Sequence, residues 1–137
     1  MKDCIFCKII SGEIPSLKVY ENEDVLAILD IAPVNHGHTL VFPKKHFANL
    51  EEIPKEDLFE LMKVVKKIGK AIKYGMGKKG YNVAVNNDPV AGQVIPHLHF
   101  HIIPRSEDDG LELWPQGKYR EGEEEVNDVL KMIKRGL

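Results

Sequence analysis

The sequence predicts an α+β fold: a mostly antiparallel sheet of about five strands, one long helix and a short C-terminal helix. Three observations lead there. Short apolar runs come in adjacent pairs with turn residues between them. One apolar stripe at helical period crosses the middle of the chain. The regular strand–helix–strand alternation of a parallel sheet is missing. With 137 residues, 43% hydrophobic and 29% charged, the chain reads as a single domain over residues 1–137, large enough for a real core.

The elements follow in order. Cys4 to Ser11 reads as a short helical turn closed by Gly12. Val19–Glu21 and Val25–Leu29 read as strands joined through Asn22-Glu23-Asp24. Asp30-Ile31-Ala32-Pro33 leaves the sheet, and His38–Phe42 is a strand stopped by Pro43. From about Pro54 to Tyr74, Leu58, Leu61, Met62, Val65, Ile68 and Ile72 make one helical stripe. Glu56 and Asp57 favour its first turn, and Lys66, Lys67, Lys70 and Lys73 its last turns. Gly75 and Gly77 end it. The string Gly75-Met76-Gly77-Lys78-Lys79-Gly80 matches G-x-G-x-x-G only in letters, because it ends a helix instead of opening one. Tyr81–Asn86 and Leu98–Ile103 read as strands. Glu123–Lys134 reads as a last helix, with Val126, Val129, Leu130 and Ile133 facing inward.

Lys and Arg total 19 against 21 for Asp and Glu, a net charge of -2. This lacks the basic bias of a nucleic-acid binder. No apolar run approaches a membrane span, and Met1-Lys2-Asp3-Cys4 does not read as a signal peptide. A cytoplasmic location is expected. With only Cys4 and Cys7 present, no structural disulfide is expected there.

Three of the six histidines lie at 97, 99 and 101. In a strand, alternate side chains share a face. The imidazoles therefore form a row, with Leu98, Phe100 and Ile102 on the opposite, core side. Crowded imidazoles repel one another when charged, so some stay neutral. A neutral imidazole is both a nucleophile and a metal ligand near pH 7. Upstream, Asn86 to Pro96 is a loop rich in turn formers, in which Gly92 lets backbone N–H groups approach an anion.

These residues resemble the histidine-triad family, whose pattern is His-x-His-x-His-x-x with hydrophobic x. The likeness extends to Asp30-Ile31-Ala32-Pro33, the segment from His36 to His46, Asn86, Ala91-Gly92-Gln93 and His97 through Arg105, nearly the whole chain. It is nearest the nucleoside phosphoramidate hydrolases, in their prokaryotic form with an N-terminal cysteine pair.

The resemblance implies roles. His99 is the nucleophile toward the α-phosphorus, forming a nucleotidyl-histidine intermediate. His101 contacts phosphate and assists the leaving group, and His38 supports them. Asp30 binds ribose and Ile31 belongs to the base pocket. Asn86, Gly92, Gln93 and Val94 border the phosphate. At Val94 many relatives have Ser or Thr, so here only the backbone N–H is left to donate. Family transferases carry Gln where this chain has His101, which favours hydrolysis. A homodimer with joined sheets is also implied.

Cys4-x-x-Cys7 is by itself open to three readings: a redox pair, half a zinc site, or coincidence. With His46 and His97 it would complete a closed Cys₂His₂ set. Relatives with this pair bind zinc at these positions, so a structural zinc is implied. A closed set leaves no open position for substrate, which argues against a zinc-dependent hydrolase.

The expected activity is hydrolysis of a nucleoside 5′-phosphoramidate or related conjugate to a nucleoside monophosphate such as AMP. The rivals are a dinucleoside polyphosphate hydrolase, whose branch usually has Gln in place of Asn86, and a purine nucleotide-binding protein with little turnover. His36 reads as a loop histidine. Trp114 is open between pocket or dimer contact and core packing.

Overall fold

A computed structural model describes residues 3–112 and 114–137. The elements are α1 (Ile5–Ile10), β1 (Lys18–Glu21), β2 (Val25–Leu29), β3 (Thr39–Pro43), α2 (Lys55–Met76), β4 (Gly80–Val85), β5 (Phe100–Arg105) and α3 (Glu123–Arg135). A single 3-10 turn at Pro89–Ala91 precedes β5. The five strands form one antiparallel sheet in the order β1-β2-β3-β5-β4. The α+β expectation holds.

Local chemistry sets these elements. The Asn22 side-chain oxygen accepts from the N–H groups of Asp24 and Val25, closing the first hairpin. On α2, Leu61, Val64, Val65, Ile68 and Ile72 are buried against Val25, Ala27, Val41, Leu98, Phe100 and Ile102. Met62, expected on that stripe, is 39% exposed. At about 100° per residue it falls roughly 100° from Leu61, whereas Val64 falls only about 60° away on the other side. The helix stops at Gly77, whose φ of 65° is left-handed, so the glycine string is a helix end as expected.

The sheet is covered on both faces. Its second face carries Leu26, Ile28, Leu40 and Phe42 against Cys4, Phe6 and Ile9 around α1. The unbroken apolar run of β2 follows from this, because both of its faces are buried.

One expectation fails. α3 forms, but none of its residues is buried. Val126, Leu130 and Ile133 are 38%, 47% and 62% exposed. Val129 is half-buried, so the described residues leave most of the apolar stripe uncovered. Among those residues no helix is long and apolar enough to cross a membrane.

Candidate active site and metal centre

The ladder of β5 begins at Phe100, so of the three histidines only His101 lies within it. His97, Leu98 and His99 lead into it, because the Leu98 N–H donates to the Phe47 carbonyl at 2.7 Å instead of to β3. The strand expected from Leu98 therefore starts two residues later. The alternation survives. Leu98, Phe100 and Ile102 face α2, while His97 and His99 pack against Phe6 of α1.

Hydrogen bonds set the tautomer of each neutral imidazole. Nε2–H of His97 donates to the Pro43 carbonyl at 2.8 Å, which leaves its Nδ1 as a lone pair. Nδ1–H of His99 donates to the His97 carbonyl at 2.7 Å, which leaves Nε2 of His99 as a lone pair. The Val34 N–H donates to Nδ1 of His38 at 3.1 Å. The proton of His38 therefore sits on Nε2, and it donates to Nδ1 of His101 at 2.9 Å. His101 must then carry its own proton on Nε2.

Burial keeps these rings neutral. Desolvation lowers the pKa of His101 to about 4, helped by the nearby His99 and His38, with Asp30 opposing. Desolvation also lowers His38 and His99, again opposed by Asp30.

His99 and His101 line a cavity of about 540 Å³, with ring centroids 4.9 Å apart. Asp30, Ile31, Asn86, Gly92 and Val94 line it too, so the structure brings most of the expected substrate residues together. Its apolar wall of Ile5, Phe6, Ile9, Ile14 and Leu17 was missed by the sequence reading. The i, i+3 spacing of Phe6 and Ile9 was the available signal. Among the described residues, no Lys or Arg lines the cavity.

Two expected residues do not line it. His38 is buried behind His101. Gln93 is spent on the loop: its amide donates to the Ala48 carbonyl at 2.6 Å and its side-chain oxygen accepts from the Asp88 N–H at 2.8 Å. The Gly92 N–H is also occupied, on the Pro89 carbonyl. The Val94 N–H has no partner among the described residues and lies at the cavity. Trp114 is 81% exposed beside a cleft with Val34, Ala84 and Ile103, so it is not core. His36 is exposed, as expected of a loop residue.

The second constellation is Cys4, Cys7, His46 and His97, whose candidate ligand atoms lie within 4.8 Å of one another. Cys4 Sγ is 3.4 Å from His97 Nδ1, and Cys7 Sγ is 3.4 Å from His46 Nδ1 and 3.7 Å from His97 Nδ1. A tetrahedral zinc with its usual bond lengths needs a sulfur–nitrogen edge of about 3.5 Å. The donor set and its spacing fit that ion. His97 suits the role, since burial lowers its pKa to about 4 and its free lone pair faces the sulfurs.

Asp30, His38 and His101 also approach one another. That trio does not fit a metal, because Nε2 of His38 carries the proton. Freeing it would require protonating Nδ1 against the Val34 N–H.

Residues 11–108 match the HIT domain family. This chain belongs to that family. Its HIT relatives include an uncharacterized HIT-like protein of Methanocaldococcus jannaschii, 52% identical over 96% of this chain and 98% of the relative. The adenylylsulfatase HINT3 of Arabidopsis thaliana is 42% identical over 98% and 70%. The adenosine 5′-monophosphoramidase hnt1 of Schizosaccharomyces pombe is 47% identical over 82% and 83%. Among solved structures, SMU.412c of Streptococcus mutans superposes with a TM-score of 0.90 at 38% identity, covering 99% of this chain and 86% of that one. A zinc-bound histidine triad protein of Mycobacterium smegmatis gives 0.78 at 34% identity, covering 99% of both chains.

Proposed function

We propose that this HIT protein hydrolyses nucleoside 5′-phosphoramidates or related nucleotide conjugates at the α-phosphorus, releasing a nucleoside monophosphate such as AMP. The observation that carries the reading is the pairing of His99 and His101 in one cavity. The first offers a lone pair on Nε2 and the second an N–H on Nε2.

Attack by His99 Nε2 on phosphorus makes the ring an imidazolium. Its Nδ1–H stays on the His97 carbonyl, which stabilises that charge. As the P–N bond breaks, the leaving nitrogen takes the Nε2 proton of His101 and departs as the neutral amine; the water that later displaces the imidazole returns that proton. Water then displaces the imidazole, so one difficult displacement becomes two easier ones. The apolar wall suits a purine, Asp30 a ribose hydroxyl and the Val94 N–H a phosphate oxygen.

The leaving group follows from charge. Among the described residues a polyphosphate would find no cationic side chain lining the cavity and would face Asp30. An amine or a small singly charged group suits it better, which favours the phosphoramidate over a dinucleoside polyphosphate. Relatives named for monophosphoramidase and adenylylsulfatase activity support that choice. At the second constellation, Cys4, Cys7, His46 and His97 would hold a structural zinc that supplies a cross-link and no chemistry. A homodimer is part of the proposal: β4 is a sheet edge and the α3 stripe is exposed.

The test is AMP release from adenosine 5′-phosphoramidate and, in parallel, from a diadenosine polyphosphate, by wild type and His99→Ala. Faster release from the phosphoramidate, lost by about a thousandfold or more in the variant, is expected. Preference for the dinucleotide would reverse the substrate assignment, and tight AMP binding without turnover of either would overturn the enzyme reading.

A further inference from the structure

We infer that Phe6 is a positioning residue that couples the Cys₂His₂ centre to the nucleotide cavity, so that zinc and nucleotide each raise the other's affinity. The inference rests on the nucleotide and zinc readings above.

The two sites share parts. Helix α1 has only 6 residues, too few to be stable alone. Cys4 caps it, its sulfur accepting from the Cys7 N–H at 3.4 Å. Cys4 and Cys7 also bring α1 to His46 and His97. A metal on these four residues would tie α1 to the end of β3 and to the lead-in of β5. The same helix contributes Ile5, Phe6 and Ile9 to the cavity wall.

Phe6 joins the two halves. It is 2% exposed. Its ring stacks on Phe42 at 4.3 Å and 7°. It also stands edge-on to His97 at 5.7 Å and to His99 at 5.0 Å. One aromatic ring thus touches a metal ligand, the nucleophile and the cavity. A second connection runs along the chain, since the carbonyl of His97 holds Nδ1–H of His99. Ordering α1 through the metal builds the wall before nucleotide arrives, so less ordering cost falls on binding. Linkage makes the effect reciprocal, with couplings typically of about 5- to 150-fold.

The experiment uses the full chain, and its readout is equilibrium binding. Zinc affinity is measured by competition with a chromophoric chelator, with and without saturating AMP. AMP affinity is measured calorimetrically on zinc-loaded and zinc-stripped protein. The expected result is an increase of about tenfold in each affinity, equal in the two directions.

Phe6→Leu keeps an apolar side chain but loses the ring contacts. Because Phe6 lines the cavity, AMP affinity itself should weaken; the quantity read is the ratio of zinc affinities with and without saturating AMP, which should fall toward one. If AMP strengthens zinc binding equally in Phe6→Leu, the effect is general stabilisation of the fold and the role of Phe6 is overturned. If wild type binds both with no mutual effect, the coupling itself is overturned while both parent readings stand. Failure to bind AMP at all, or zinc at all, removes the corresponding parent reading and the coupling with it.

Discussion

Nε2–H of His38 donates to Nδ1 of His101 across 2.9 Å, and the backbone of Val34 holds the opposite nitrogen of His38 at 3.1 Å. This chain of bonds presents a proton on His101 toward the cavity. His38→Ala removes the donor and frees His101 to adopt the other tautomer. The turnover rate should fall by about 10²- to 10⁴-fold, with little change in AMP affinity. Steady-state kinetics alongside calorimetry checks both; an unchanged rate would remove the tautomer argument.

Gln93 makes a different prediction from the one its place beside the cavity implies. Gln93→Ala leaves the Ala48 carbonyl and the Asp88 N–H without their partners. Both bonds are partly buried, so each loss costs about 0.5–1.5 kcal/mol. Urea denaturation should show that loss. KM should rise more than the turnover rate falls, because the loop that carries Val94 loosens.

Acid should destabilise the fold through His101. Its pKa is lowered to about 4 in the folded chain, against roughly 6.5 unfolded. Between these values the unfolded state binds more protons, so stability is full above about 6.5, declines as pH falls, and this contribution is gone below about 4. The loss is at most on the order of 3 kcal/mol, reduced by solvent screening of this half-buried ring. Thermal melts from pH 7 to pH 4 read it. In His101→Gln the decline over this window should be shallower.

The zinc proposed for Cys4, Cys7, His46 and His97 should be lost when one of these ligands is removed. Cys7→Ala is expected to lose zinc, measured by elemental analysis. The melting temperature should drop by on the order of 10 °C, because a structural metal contributes folding energy directly. An unchanged melting temperature with zinc retained would place the metal elsewhere.

Much of this was legible in the residues. Alternation of His and apolar residues from His97 to Ile102 placed the imidazoles on one side, and that survived although the ladder starts at Phe100. The turn at Asn22 and the stop at Gly77 were readable because each depends on one residue's local chemistry. Three features were not. The pin made by Gln93 depends on Ala48, distant in sequence. The support of His38 is a backbone N–H, which no side-chain pattern reveals. The stripe of Val126, Leu130 and Ile133 has helical period but stays exposed among the described residues, and periodicity alone says nothing about what covers it.

The strand order carries a consequence for biosynthesis. β5 is inserted between β3 and β4, so β4 meets the sheet only through a strand made after it. A nascent chain can form the β1–β2–β3 meander from neighbouring segments, a fast closure of short loops. It cannot align His38, His97, His99 and His101 until residue 101 has left the ribosome and β5 has docked. A chain that ends before residue 101 therefore lacks the contact between His38 and His101.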